Sequence, residues 1–371
     1  MTELDDLSPE TLQVLDRYGF DRARFNTLRQ QVADGTLTLE SNTVTGRVQA
    51  PESHAWAELP RPSSDEGKAA LEVGKKAIAN GEVGVVILNG GMATRFGGVV
   101  KGIVEALPGR SFLSLKLQNV MNEARDAGGR IQVFLMNSFA TDESTRQHLD
   151  ENRNFLVPDD DLSLFTQGIS LRLTPEGEIF LHDDGAPSCY GPGHGDCPTY
   201  LRSSGCLARF RNSGGKHLLL SNVDNLAARL DPLLIGLHVL SKCELTAEVA
   251  PKWPGDAGGA PALVDGKVWV IEGFRFPADF DQEQIPVFNT NTFTVNADAL
   301  TKDYELTPCY VRKTVEGRDA VQFETLVGEL TRFLSSQYAK VNRAGKSSRF
   351  FPIKTPQDLA DGQEDLRLIC G

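Results

Sequence analysis

The chain has 371 residues, of which 40% are hydrophobic and 24% charged, and its formal net charge is −12. That length and composition suit a soluble globular protein with a large core, in one elaborated domain or two. The acidic balance excludes a general nucleic-acid binder, which needs a basic face against phosphate backbones, but not a nucleotide site, where a few local cations suffice. No apolar run is long enough to cross a bilayer, and the acidic start Met1-Thr2-Glu3-Leu4-Asp5-Asp6 has no signal-peptide core. A cytoplasmic protein with no membrane partner is expected. The six cysteines, at 189, 197, 206, 243, 309 and 370, form no Cys-x-x-Cys pair and read as free thiols.

In chain order, Ser8-Pro9-Glu10 starts a helix with a cap and a proline in its first turn, and Leu12, Leu15 and Phe20 give an apolar stripe. Pro51 to Pro62 is proline-rich and reads as a connecting loop. Residues 1–62 are therefore an N-terminal helical extension with its connecting loop, and 63–371 the main domain. Glu66 to Asn80 is a helix that stops near Gly81. Val83 to Leu88 is short and β-branched, which predicts a buried parallel strand. Ile103 to Leu107 is a short strand, Phe112 to Ala127 an amphipathic helix capped by Ser111, and Ile131 to Met136 another buried strand. Asn137-Ser138-Phe139 is a loop, and Thr141-Asp142-Glu143 starts the next helix. This alternation predicts an α/β fold whose sheet has both faces covered. Ligands of such sheets bind beyond the carboxyl ends of strands, which marks the loops after Leu88 and Met136.

Residues 155 to 192 read as an antiparallel excursion with a surface hairpin. A helix is expected from Thr199 to about Asn212, a strand from Lys216 to Ser221, a helix from Pro232 to Leu240 and a strand from Glu244 to Ala250. Ala260 to Phe274 reads as a hairpin turning at Asp265-Gly266, Val287 to Val295 as extended and Val321 to Leu334 as helical. One more helix follows Pro356.

Four stretches carry residues suited to chemistry. After Leu88 the chain runs Asn89-Gly90-Gly91-Met92-Ala93-Thr94-Arg95-Phe96-Gly97-Gly98 and reaches Lys101. A strand that runs into such a turn lets backbone N–H groups approach an anion, and Arg95 and Lys101 add full charge there. The same pattern also makes a plain tight turn. Tyr190-Gly191-Pro192-Gly193-His194-Gly195-Asp196 is a rigid open loop that a ligand can approach, or a glycine turn with exposed polar groups. Leu218-Leu219-Leu220-Ser221-Asn222-Val223-Asp224 ends an apolar strand in a carboxylate, a position suited to hard Mg²⁺ or to capping a turn. Phe288-Asn289-Thr290-Asn291 offers amides for sugar hydroxyls or for a turn.

Taken together these motifs resemble the UTP–glucose-1-phosphate uridylyltransferase family of eukaryotic type, within the sugar-1-phosphate nucleotidyltransferases. Leu88-Asn89-Gly90-Gly91 is similar to the start of that family's loop, although Ala93-Thr94 stands for its Gly-Thr and the proline before the lysine is missing in Val99-Val100-Lys101. Pro192-Gly193-His194-Gly195-Asp196, Ser221-Asn222-Val223-Asp224-Asn225 and Asn289-Thr290-Asn291 resemble further family motifs, as do Phe165-Thr166-Gln167 and Ser348-Arg349-Phe350-Phe351-Pro352-Ile353-Lys354-Thr355. Met136-Asn137-Ser138-Phe139 and Gln322-Phe323-Glu324-Thr325 are family-like too.

The resemblance covers roughly 80–362 and implies a Rossmann-like nucleotide-diphospho-sugar transferase fold with a mixed, mainly parallel sheet, 63–371 being the catalytic domain. It implies that NTP, by family default UTP, and a sugar 1-phosphate, by default glucose 1-phosphate, give NDP-sugar and pyrophosphate with Mg²⁺. Arg95, Lys101 and Lys354 would be the catalytic cations. Leu88, Asn89, Gly90, Gly91, Gln167, Gly193 and His194 would bind the nucleotide, and Asn222, Asn289 and Asn291 the sugar. Asp224 and Asn291 would take the metal. The alternatives are a paralogue using GTP or ATP and another sugar- or cyclitol-1-phosphate in specialised metabolism, and a noncatalytic nucleotide-sugar sensor. The family usually adds a C-terminal β-helix that drives oligomerisation, and this chain ends before one, so a monomer or small homo-oligomer is expected.

Overall fold

Alternate residues of one short strand divide the protein into layers. The computed structural model describes residues 3–93, 96, 98–256 and 258–371. In the strand Val83–Leu88 all six residues are buried. Val85 and Ile87 enter one core with Phe112, Leu117, Val133 and Leu135. Val86 and Leu88 enter the other with Phe134, Phe210, Leu218 and Leu220. Side chains of a strand alternate between faces, so an unbroken apolar run requires cover on both.

This strand lies in an eight-stranded sheet. The spatial order is Trp56–Glu58, Ser336–Lys340, Leu245–Pro251, Val287–Asn296, His217–Asn222, Val83–Leu88, Gln132–Asn137 and Leu162–Thr166. Val287–Asn296 is antiparallel to both neighbours, and the remaining pairs are parallel. The sheet is thus mixed and mainly parallel. In register, Leu88 lies beside Asn222 and Met136, and Asn137 beside Thr166. Four carboxyl ends therefore open at one level. No helix is long and apolar enough to cross a membrane among the described residues.

Several local expectations hold. Ser8 Oγ accepts the Thr11 N–H, and Ser111 Oγ accepts the Ser114 N–H, at the starts of the helices Pro9–Arg17 and Phe112–Ala127. The hairpin Ala260–Val264 and Lys267–Ile271 turns at Asp265 and Gly266.

Others are corrected. Val321 to Leu334 is not a helix. Arg318–Glu324 is a strand paired with Cys309–Val315, and Val327–Arg332 is a 3₁₀ turn. Glu316 and Gly317 connect the two strands with φ of +49° and +73°, the two-residue turn whose twist suits a hairpin. The expected helix from Thr199 to Asn212 is two, Cys197–Ser203 and Cys206–Asn212, because Gly205 takes a left-handed conformation between them. Ile103 to Leu107 splits into the 3₁₀ turn Lys101–Ile103 and the strand Glu105–Leu107. Pro51 to Pro62 is not all loop, since Trp56–Glu58 pairs in parallel at the sheet edge. A second N-terminal helix, Arg22–Ala33, is capped by Asp21, and the chain ends in two short helices, Pro356–Asp361 and Gln363–Cys370. The N-terminal residues Leu15, Phe25, Leu28 and Val32 pack against Leu171, Val321 and Phe323, behind the hairpin.

Away from the strand ends, His238 is buried with Nδ1 at 2.8 Å from Thr246 Oγ1 and Nε2 at 3.0 Å from Asn296 Oδ1. Burial, and then the neighbouring His217, push its pKa down to about 4. The unfolded chain, near 6.5, therefore takes up this proton first as pH falls. His238 thus contributes stability above about pH 6.5 that is lost as pH falls toward 4. Asp196, raised by burial to about 6, acts in the opposite sense, its contribution being lost as pH rises from the ordinary aspartate range through 6. We expect the urea midpoint of the wild type to fall more steeply between pH 6.5 and 4.5 than that of His238→Gln. Equal slopes would remove His238 from the acid transition.

Candidate active site

The four aligned strand ends form the floor of a cleft of about 720 Å³. Leu88, Gly90 and Gly91 line it from the loop after Val83–Leu88, and Met136, Ser138 and Phe139 from the neighbouring strand end. Gln167 follows Leu162–Thr166, and Asn222, Val223 and Asp224 follow the apolar strand His217–Asn222. The opposite wall is the hairpin of residues 309–324, which contributes Lys313, Gln322 and Glu324, together with Arg172 and Tyr190.

Gln167 is 5% exposed, and its backbone N–H donates to the Asn137 carbonyl. A Cβ on Gly191 would collide with its Nε2, and one on Gly90 would lie 2.8 Å away. Both glycines therefore exist as room for this amide. Gly193 has a φ of +97°, and a Cβ there would lie 2.5 Å from the Thr325 carbonyl oxygen. That loop is laced to the hairpin, because Thr325 N–H donates to Pro192 O and Gly195 N–H to Thr325 O, each at 2.8 Å. His194 Nδ1 accepts the Val327 N–H at 3.0 Å. Burial pushes its pKa down to about 4. The ring is therefore neutral at pH 7, with its proton on Nε2.

Lys101 and Asp224 meet at one side of the cleft. Lys101 Nζ is 3.5 Å from Asp224 Oδ2 and donates to the Ile353 carbonyl at 2.6 Å. It also lies 4.8 Å from the centre of the Phe96 ring. Ile353 returns the link, its N–H donating to the Asp224 carbonyl at 3.1 Å. One backbone residue thus holds both the cation and the loop of the carboxylate.

Other sequence-derived candidates stand elsewhere. Asn89 is 2% exposed and lies behind the wall, its Nδ2 donating to Asn137 Oδ1 and Thr145 Oγ1. It braces the loops. Asn289 and Asn291 do not line the cleft. Asn291 Nδ2 donates to Asn222 Oδ1 at 3.0 Å, and Asn289 Oδ1 accepts the Asn291 N–H at 3.1 Å. Asn291 has a φ of +55°, and its buried Oδ1 lacks a hydrogen-bond partner. Arg95 lies outside the described residues. Lys354, expected with Lys101 among the catalytic cations, does not line the first cleft. It is exposed on a second cavity of about 580 Å³, with Trp253, Phe288, Phe350 and Phe351. Since Lys354 follows Ile353, the two cavities are joined by the segment tied to Lys101 and Asp224.

The hairpin wall is what the sequence reading missed. Arg172 Nε donates to Gln322 Oε1 at 2.8 Å, Gln322 Nε2 to Glu324 Oε1 at 2.6 Å, and Lys313 Nζ lies 3.6 Å from that oxygen. The signal was the Glu316-Gly317 turn between two strand-like runs.

Mg²⁺ can be tested against these residues. It prefers oxygen and keeps waters and phosphate oxygens, so it needs one or two protein ligands rather than a cage. Among the described residues no cluster of three or more His, Cys, Asp or Glu could hold a metal. Asp224, with its side chain 24% exposed, supplies a carboxylate on the cleft, and the orphaned Asn291 Oδ1 is a neutral oxygen behind Asn222. This donor set fits Mg²⁺ bound together with phosphates.

The sequence model of one family, described as UTP–glucose-1-phosphate uridylyltransferase, matches residues 38–367. The protein of that name from Solanum tuberosum is 28% identical over 391 residues, covering 99% of this chain and 80% of the relative. Among solved structures, the uridine diphosphate N-acetylglucosamine pyrophosphorylase of Trypanosoma brucei superposes with a TM-score of 0.79 at 18% identity, covering 95% of this chain and 79% of that one. The UDP-glucose phosphorylase of the same organism gives 0.75 at 24% identity, covering 95% and 77%. These two likenesses establish a shared nucleotidyltransferase fold.

Proposed function

This chain belongs to the UTP–glucose-1-phosphate uridylyltransferase family of sugar-1-phosphate nucleotidyltransferases, and from that premise we propose that it converts UTP and glucose 1-phosphate into UDP-glucose and pyrophosphate. The observation that carries this reading is the double tie of Ile353, to Lys101 through its carbonyl and to Asp224 through its N–H. It sets the nucleotide cleft and the cavity bearing Lys354 side by side, as two substrates require.

In the reaction a phosphate oxygen of the sugar phosphate forms a bond to the α-phosphorus, in line with the oxygen that departs with pyrophosphate. Two anions must approach, so positioned positive charge is the main catalytic need. Asp224 would hold Mg²⁺, which when bound supplies neutralising charge at the phosphates, whereas Asn291, expected as a second ligand, is buried behind Asn222. An ammonium has three donors, and the Lys101 Nζ hydrogen not committed to Ile353 or Asp224 serves a phosphate oxygen. Lys354 holds the sugar phosphate in the second cavity. Arg95 is assigned to the triphosphate from the sequence alone. Gln167 presents both a donor and an acceptor to the base. His194 donates from Nε2, and the backbone at Gly90, Gly91 and Gly193 frames the nucleotide beside Leu88. Asn222 lines the nucleotide cleft with Asn291 bonded behind it, so the sugar contacts expected of Asn222, Asn289 and Asn291 are not part of this reading.

Two variants separate the halves of the site. Gly191→Ala displaces the Gln167 amide and should raise KM for the nucleotide about ten-fold, the effect of about 1.4 kcal/mol of lost binding. KM for the sugar phosphate should stay unchanged. Lys354→Ala should do the reverse and also depress kcat, measured by initial rates. A nucleotide KM unaffected by Gly191→Ala would remove Gln167 from base recognition.

The reading itself is tested by pyrophosphate release with Mg²⁺, over the four common NTPs and a panel of hexose, N-acetylhexosamine and cyclitol 1-phosphates. UTP with glucose 1-phosphate should give the highest kcat/KM. A higher value for another pair would reassign the substrates, and no release from any pair would refute catalysis.

A further inference from the structure

Beneath the Asp224 loop lies a lysine that the reaction described above does not use. Lys116 sits on the helix Phe112–Ala127 between the buried Leu115 and Leu117, and is itself only 5% exposed. A lysine is almost never buried without a partner, because its ammonium loses hydration. Here Nζ lies 3.1 Å from Ser221 Oγ and donates to the Ala228 carbonyl at 2.7 Å. Those residues bracket Asp224. The first is the penultimate residue of the strand that leads into the loop, and the second lies on the loop's return.

The rest of the loop is pinned from other sides. Asn225 Oδ1 accepts the Phe351 N–H at 2.9 Å, Arg349 Nη1 donates to the Arg229 carbonyl at 2.7 Å, and Asn119 Oδ1 accepts the Leu230 N–H at 2.8 Å. Among these ties, that of Lys116 joins the loop's approach to its return across Asp224.

We propose that Lys116 is a positioning residue, which by tying Ser221 to Ala228 from below sets where Asp224 stands relative to Lys101. It does not touch substrate. It acts on the reaction through the loop, and the inference rests on Asp224 being the residue that holds the metal. Burial first, and then the Arg349 guanidinium, push the Lys116 pKa down to about 7, against the pull of Asp224, Cys370 and Glu248. Those are the charged and titratable groups that face it from the loop, the last helix, the strand Leu245–Pro251 and the segment before Ile353.

The test compares the wild type with Lys116→Met, Ser221→Ala and Asp224→Asn. A misplacement of about 1 Å at a reacting group costs up to about 10²-fold in rate. Lys116→Met should therefore lower kcat about ten- to hundred-fold, with both KM values within about two-fold of the wild type. Mn²⁺ retained by the enzyme with UTP, read by electron paramagnetic resonance, should weaken in parallel. A merely structural lysine would lower the melting temperature and leave kcat per folded molecule and Mn²⁺ retention unchanged, which would overturn the proposal. Should Lys116→Met not fold, Ser221→Ala keeps the charge and cuts one tie. A several-fold loss of kcat supports the proposal, and wild-type kcat overturns it. Asp224→Asn separates the two readings. If it is active, the assignment of Asp224 and this proposal both fall. If it is inactive beside a fully active Lys116→Met, only this proposal falls.

Discussion

Asp224→Asn should lower kcat by about 10²–10³ while leaving the thermal melt close to that of the wild type. That range is the effect of removing one preorganised group from a charge-stabilising site. The substitution preserves shape, and the bond from the Ile353 N–H to residue 224 runs to its backbone carbonyl, so the loop keeps that anchor. Lys101 loses its carboxylate partner at 3.5 Å but keeps the Ile353 carbonyl at 2.6 Å. What disappears is the negative charge that would hold the divalent ion. Initial rates with circular-dichroism melts on the same preparations decide the matter. Wild-type kcat in the variant would exclude Asp224 from the chemistry.

The second large effect is on stability. Arg349→Met should destabilise the protein by about 3–5 kcal/mol, the range for breaking a buried ion pair by removing one partner. Arg349 and Glu248 have side chains 4% and 3% exposed, and Arg349 Nε donates to Glu248 Oε2 at 2.9 Å. Burial raises the Glu248 pKa, and Arg349 is the main influence that opposes it. Without the guanidinium, the upward push of burial on the Glu248 carboxyl loses its main opposition. A raised native pKa makes the folded chain bind more protons than the unfolded one, so the loss should be smaller at pH 5 than at pH 8. Removing both charges, as Arg349→Met with Glu248→Met, should recover most of the stability, because an apolar pair of similar volume replaces a buried ion pair at little cost. Urea unfolding at the two pH values tests the order. Equal losses at both would mean that Glu248 does not carry the penalty.

How much of this was legible in the sequence depends on which residues carry each feature. The strand Val83–Leu88 and its loop were readable because an apolar β-branched run followed by glycines has few other uses. The strand His217–Asn222 was readable from its short apolar run Leu218-Leu219-Leu220, which ends in polar residues. The far wall was hidden because the apolar residues Phe323, Leu326, Val327, Leu330 and Leu334 fall at helical spacing, although the Glu316-Gly317 turn favours a hairpin. That misreading concealed Lys313 as a cleft residue. Lys116 was hidden because a lysine on an amphipathic helix normally points to water, and only tertiary packing shows it beneath a loop. The placing of Lys354 was equally out of reach, since the motif names the residue but not the cavity it enters. Asn89, read as a nucleotide contact, is a buried brace because its amide faces Asn137 and Thr145.

A crystal structure of the chain soaked with UDP-glucose tests the two-cavity arrangement most directly. The uracil should stack in the first cleft beside Gln167 and Gly191, the α-phosphate should lie over Lys101 and Asp224, and the phosphate that carries glucose should reach Lys354 in the second cavity, with the sugar toward Phe350. Glucose found beside Arg172 and Lys313, with the second cavity vacant, would contradict it.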